Sequence, residues 1–177
     1  MEGLRMRGLS LFLQTDRKVS GYFAAQDNRW LKGLFRAFSR LGTGAVWISV
    51  YALCLIFFPD HAGGLIKTLI LAELLGLTVI VILRYLTRRE RPSANYRCFY
   101  LTPWNRYSFP SHHAFRAFVI AILIGTNHPE FFPALIITAA IVGFSRIYLL
   151  KHYLSDVLAG ILLAVVVASA SHRFLMN

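Results

Sequence analysis

The apolar residues of this chain are gathered into blocks, and the blocks are long enough to cross a lipid bilayer. Five stand out, at residues 42–58, 64–83, 114–126, 132–150 and 154–170. The second holds Lys67 and Glu73, the third is short, the fourth ends in charge and the fifth opens with Asp156. A helix needs about 20 residues to cross the hydrocarbon core, fewer when its ends snorkel. Hydrophobic residues make up 56% of the 177, more than a soluble domain of this size usually carries. We therefore expect an all-α integral membrane bundle of about five transmembrane helices, forming one domain over 42–177.

Residues 1–41 differ. Trp30, Leu31, Leu34, Phe35 and Phe38 recur at helical spacing among Arg29, Lys32, Arg36 and Arg40. That pattern predicts an amphipathic helix, either lying in the membrane interface or packed on the bundle. No compact apolar stretch precedes a small-residue cleavage site, so no secretory leader is expected. Net charge is +11. Because most basic residues lie outside the spans, the expected partners are the bilayer, its anionic headgroups or a phosphate substrate. Nucleic acid is not expected, since a membrane bundle offers no element to read a groove. Cys54 and Cys98 have no metal-ligand spacing.

Three polar stretches at the ends of apolar blocks hold the chemistry-bearing residues. The first is RYLTRRERP, with Arg84 at the end of the second block and Arg91-Pro92 beyond it. Snorkelling accounts for Arg88 and Arg89. Arg84 and Arg91 fit less well, and a guanidinium fork suits phosphate oxygens. The second is FPSHHAF, where Pro110-Ser111 reads as a helix start. A helix N-terminus is a ready anion site, and His112 and His113 stand in its first turn. They fit an interfacial role as well as a catalytic one. The third is SRIYLLKHYLSD. Arg146 there would be costly unpaired, and a bound anion would offset that cost. His152 and Asp156, four apart, share a helix face. The carboxylate could take the Nδ1 proton and leave Nε2 as nucleophile or base, or the pair could simply cap a helix. Counting spans puts all three stretches on one side of the membrane.

Together these residues resemble the signature of the type-2 phosphatidic acid phosphatase superfamily, which includes soluble vanadium haloperoxidases. That signature reads K-x6-R-P, P-S-G-H and S-R-x5-H-x3-D. Here it reads Arg84-x6-Arg91-Pro92, Pro110-Ser111-His112-His113 and Ser145-Arg146-x5-His152-x3-Asp156. Two positions depart: Arg84 stands for lysine and His112 for glycine. The resemblance implies that His152 attacks phosphorus and becomes a phosphohistidine, that Asp156 orients it, and that His113 protonates the leaving oxygen and later activates water. It implies that Arg84, Arg91, Arg146, Ser111 and the His112 amide hold the phosphate oxygens. Cations and helix N–H groups supply what phosphoryl transfer needs, so no metal or other cofactor is expected. The implied substrate is a lipid phosphate, such as a polyprenyl pyrophosphate, phosphatidylglycerophosphate or phosphatidic acid. A lipid phosphotransferase on the same scaffold, or a non-enzymatic lipid-binding protein, are the alternative readings. The chain is expected in the cell membrane as a multi-pass protein. Eight Lys and Arg between 5 and 40 place the site side in the cytoplasm by the positive-inside rule, whereas the resemblance implies the external face. Glu73, at membrane depth, is a functional candidate by default, and Lys67 is poorly placed to pair with it.

Overall fold

The computed structural model describes the backbone of residues 2–93 and 103–175 and the side chains of 13–58, 62–93 and 105–171. Cys98 lies outside the described residues, as does most of the loop after Arg91-Pro92; the side chains of Arg5 and Arg7 are also outside them. The chain forms α1 (Glu2–Ala24), α2 (Arg29–Leu41), α3 (Gly44–Phe57), α4 (Pro59–Thr87), α5 (His112–Asn127), α6 (Phe132–Tyr148) and α7 (Leu154–Leu175). Short 3-10 turns lie at Pro103–Arg106 and Pro129–Phe131.

Local chemistry explains the breaks. Asn28 caps α2, its side chain accepting from the Leu31 N–H at 3.0 Å. Gly42 and Thr43 then interrupt the chain, and α3 continues at 48° to α2. Pro59 stands in the first turn of α4, where its missing N–H costs nothing. At the far end Arg88 adopts a left-handed conformation, φ 46°, and Arg91-Pro92 prevents the helix from resuming.

α5 is the axis of the bundle. It packs most extensively on α6 and α7, and also on α4. Ala114, Phe115, Val119 and Leu123 are fully enclosed. Gly160 lets α7 press against the first turn of α5: a Cβ there would lie 2.5 Å from the Ser111 carbonyl oxygen. The outer surfaces of α3, α4 and α7 expose Ile48, Leu53, Leu74, Leu75, Leu162 and Val166, as a lipid-facing surface requires.

Among the described residues three helical segments are long and apolar enough to span a membrane: Ala62–Thr87, Pro129–Tyr148 and Leu154–Ser171. The count rises to four if the bent pair α2 and α3 is one span. The expected count of about five thus treats two shorter helices as independent spans. α3 has 14 residues. α5 has 16, about 24 Å of rise, and is sheltered by its neighbours. Each apolar block falls on one helix, but hydropathy does not register whether that helix is long enough to cross alone.

The N-terminal helices dock on this bundle. Phe23 of α1 and Phe35 of α2 pack against Phe144 and Tyr148 of α6, with ring centroids 4.6–5.6 Å apart. α2 leaves Trp30, Leu31 and Leu34 exposed. One face of α2 therefore holds the bundle while another presents large apolar side chains outward.

Candidate active site

The last turn of α4, the first turn of α5, the end of α6 and the start of α7 meet at one end of the bundle. The Ser111 N–H donates to the Asp156 carbonyl at 2.9 Å, tying α5 to α7. Arg84 donates to the Pro110 carbonyl at 3.2 Å and to the Asn105 side chain at 3.1 Å, tying α4 to the start of α5 and to the turn at Pro103–Arg106. The end of α6 turns back on itself. Leu150 takes a left-handed conformation, φ 54°, uncommon for a branched side chain. Both the Lys151 and His152 N–H groups then return to the Arg146 carbonyl, at 2.9 and 3.2 Å. This turn carries His152 into the interior, 1% exposed.

The ring of His152 is held at both nitrogens. Nδ1 donates to the Ser108 carbonyl at 2.7 Å, because a carbonyl oxygen can only accept. Nε2 therefore carries the lone pair, and Arg91 Nη1 donates to it at 3.2 Å. Here the structure differs from the i,i+4 expectation. Asp156 Oδ2 stands 3.7 Å from Nδ1, beyond hydrogen-bond range. It instead accepts from the Tyr153 N–H at 2.9 Å, while Oδ1 accepts from Arg89 at 2.7 Å. The physical reason is competition: the first turn of α7 needs that carboxylate for its own N–H groups, and the loop brings a backbone carbonyl closer to the ring.

Burial, then the charges of Arg91, Arg146 and Arg84 and the ring of His113, push the His152 pKa well below the ordinary imidazole range. The same four side chains are those the sequence brings toward it. Arg91 also donates to the carbonyls of Lys151, Asn105 and Tyr107, at 2.6, 2.8 and 3.3 Å, clamping the 105–107 turn over His152. Arg146, 5% exposed, donates to the Ser39 hydroxyl of α2. His113 packs against Gly42, where a Cβ would meet its ring carbon at 2.9 Å. His112 lies stacked near the Phe115 ring, centroids 6.2 Å apart. Ser111 occupies the N-cap position of α5 but makes no side-chain cap bond. Its hydroxyl is buried without a hydrogen-bond partner among the described residues.

Sequence reasoning missed Asp16, Ser39, Asn105 and Ser108, and assigned Arg89 to snorkelling. Asp16 and Ser39 sit in N-terminal helices with no motif, so only their contacts identify them. Glu73 also finds a partner the sequence reading lacked: Arg116 Nε donates to it at 2.6 Å and the Tyr51 hydroxyl at 2.8 Å. An arginine inside the third apolar block was the available signal.

Comparison with known proteins places this geometry. The profile of the PAP2 superfamily matches residues 65–177, which contain every motif residue. The chain belongs to the PAP2 superfamily. It is similar to an undecaprenyl-diphosphatase of Sulfolobus acidocaldarius, 34% identical over 137 residues. That match covers 75% of this chain and 65% of the relative, so the chain spans just under two thirds of that protein's length. In three dimensions it resembles LpxE of Aquifex aeolicus, with a TM-score of 0.73 and 26% identity over 93% of this chain and 96% of that one. The transmembrane PAP2-type phosphatidylglycerolphosphate phosphatase of Bacillus subtilis gives the same TM-score at 20% identity, covering 92% of this chain and 85% of that one, and supports the fold alone. With its apolar helices and these transmembrane neighbours, the chain is a multi-pass membrane protein. The PAP2 match begins within α4, so Asp16, Ser39 and Gly42 reach the PAP2 site from outside the matched segment.

Proposed function

We propose that this protein is a membrane phosphatase that removes a phosphoryl group from a lipid phosphomonoester or pyrophosphate. The observation that carries this reading is the state of His152: a neutral ring, Nδ1–H anchored on a carbonyl, Nε2 lone pair facing Arg91. Nε2 attacks phosphorus in line, and the bond from phosphorus to the leaving oxygen breaks with its electron pair on that oxygen. His113 donates a proton there. The imidazole is then cationic, and Asp156 is the anion nearest its Nδ1. Water next attacks the phosphohistidine as His113 takes its proton, and His152 leaves as a neutral ring with inorganic phosphate. Arg84, Arg91 and Arg146, with the Ser111 hydroxyl and the His112 N–H, balance the charge on the transferring oxygens.

The substrate class follows from placement. The site lies at the end of an apolar bundle and is reached by Ser39 of α2, a helix that also exposes Trp30, Leu31 and Leu34, so a lipid tail stays in the bilayer while its head enters. The similarity to an undecaprenyl-diphosphatase makes polyprenyl pyrophosphate the first substrate to test. Purified protein in detergent is assayed for inorganic phosphate against undecaprenyl pyrophosphate, phosphatidylglycerophosphate and phosphatidic acid. Release from at least one, abolished in folded His152→Ala, is expected. Activity retained by His152→Ala, or no release from any, overturns the proposal. Lipid consumed only with an acceptor lipid, and without free phosphate, favours a phosphotransferase.

We further propose that the site opens on the external face, as the family resemblance implies and against the positive-inside count. Arg106→Cys, at an exposed position, in a chain lacking Cys54 and Cys98, should react with an impermeant maleimide on intact cells. Labelling only after permeabilisation reverses the assignment.

A further inference from the structure

The first turn of α7 is capped from elsewhere in the chain. Its leading N–H groups have no acceptors within the helix, and Tyr153, which precedes it, has no short polar side chain to serve. Two carboxylates take that place. Asp156, in the third position of α7, reaches back to the Tyr153 N–H at 2.9 Å, as the acid of a capping box does. Asp16 of α1 accepts from the Ser155 N–H at 3.0 Å and from the Ser155 hydroxyl at 2.5 Å. Arg89 lies between them. It donates to Asp16 Oδ2 at 2.6 Å, to Asp156 Oδ1 at 2.7 Å and to Ser155 Oγ at 2.6 Å, with its guanidinium 4.2 Å above the Tyr153 ring. Both carboxylates are enclosed, with side-chain exposures of 4% and 0%.

We infer that Asp16, lying outside the segment matched to the PAP2 family, is a positioning residue for the proposed reaction, acting through Arg89 on Asp156 and on the turn that carries His152. The inference rests on the phosphatase reading. Two anions share one guanidinium, so the trio keeps one net negative charge. That charge faces His152 Nδ1 across 3.7 Å, where positive charge develops as Nε2 bonds to phosphorus. Remove the charge of Asp16 and Arg89 is balanced by Asp156 alone; the anion opposite the ring is then neutralised. A purely structural anchor would not have this effect. Asp16→Asn separates the two roles, since the amide keeps an oxygen for the Ser155 N–H while losing the charge.

The test measures kcat, KM and thermal midpoint on the lipid phosphate the wild type hydrolyses. Asp16→Asn is expected to lower kcat by about 10- to 100-fold, the scale of a misplaced catalytic group, with KM within about twofold, in a variant that stays folded at the assay temperature although its midpoint falls with the loss of a buried ion-pair partner. The double variant Asp16→Asn with Arg89→Gln is expected to be no slower than Arg89→Gln alone, because the two act as a unit. Asp27→Asn, which breaks only an exposed pair with Lys32, should match wild type. If Asp16→Asn fails to accumulate, Arg89→Lys, which keeps the charge and loses the fork, is held to the same split between kcat and KM. A kcat within twofold of wild type, a loss confined to KM, or multiplicative losses in the double variant overturn the positioning role and leave the phosphatase reading intact. A wild type that releases no phosphate removes both.

Discussion

Replacing Arg116 by Met should cost this protein more stability than replacing Arg116 and Glu73 together. Arg116 Nε meets Glu73 at 2.6 Å, and the two side chains are 11% and 13% exposed. Glu73 lies midway along α4, where water is least available, and its other oxygen accepts from Tyr51. At an effective dielectric near 20, unit charges about 4 Å apart attract by about 4 kcal/mol. Removing one partner of a buried pair costs about 3–5 kcal/mol, because the survivor stays desolvated. For a chain of this size that predicts a fall of about 6–20 °C in the unfolding midpoint of Arg116→Met, measured in detergent micelles. Glu73→Gln with Arg116→Met carries no charge, and Tyr51 still finds an acceptor in the amide. The double variant should recover most of the loss, and it should keep phosphate release, since Glu73 bonds to Arg116 and Tyr51, and Arg116 to Glu73 and the Gly42 carbonyl, with no bond to His152. An Arg116→Met midpoint within about 3 °C of wild type, or a double variant as unstable as the single, refutes a desolvated pair. Lost turnover in a well-folded double variant would instead give Glu73 a direct part in function.

Gly160→Ala puts a methyl group 2.5 Å from the Ser111 carbonyl; overpacking of about 1–3 kcal/mol and a fall in kcat of at least about tenfold are expected from thermal and phosphate-release assays, and a neutral result would mean the helices separate freely. The pKa of His152 lies below the usual imidazole value, through burial and then Arg91, so the neutral nucleophile persists as pH falls through about 6.5. The acid limb of kcat/KM should therefore lie well below 6.5 and move up toward it in Arg91→Leu; a wild-type limb at or above 6.5 contradicts this. By linkage, His152 leaves stability intact above the unfolded pKa and erodes it as pH drops below, because only the unfolded chain takes the proton readily. Turnover should persist in EDTA, since guanidinium groups and a helix N-terminus supply the positive charge; complete loss restored by Mg²⁺ would refute that.

What the sequence determined by itself is what depends on local periodicity and spacing. Apolar blocks of bilayer length dictate an all-α bundle, because hydrocarbon leaves backbone groups no partner but their own helix. The order of the spans brings Arg84, Ser111, Arg146 and His152 to one end, and the i,i+4 interval sets His152 and Asp156 near each other. Tertiary structure decided what each polar atom touches. His152 Nδ1 finds a carbonyl 44 positions away in the chain, and Ser155 finds a carboxylate 139 positions away. Neither follows from spacing, since a hydrogen bond is lost over a few tenths of an ångström. That precision comes from the left-handed turn at Leu150, the close approach at Gly160 and the docking of α1 and α2. Periodicity thus selects which groups share an end of the bundle, and only packing between distant segments selects which of them bond.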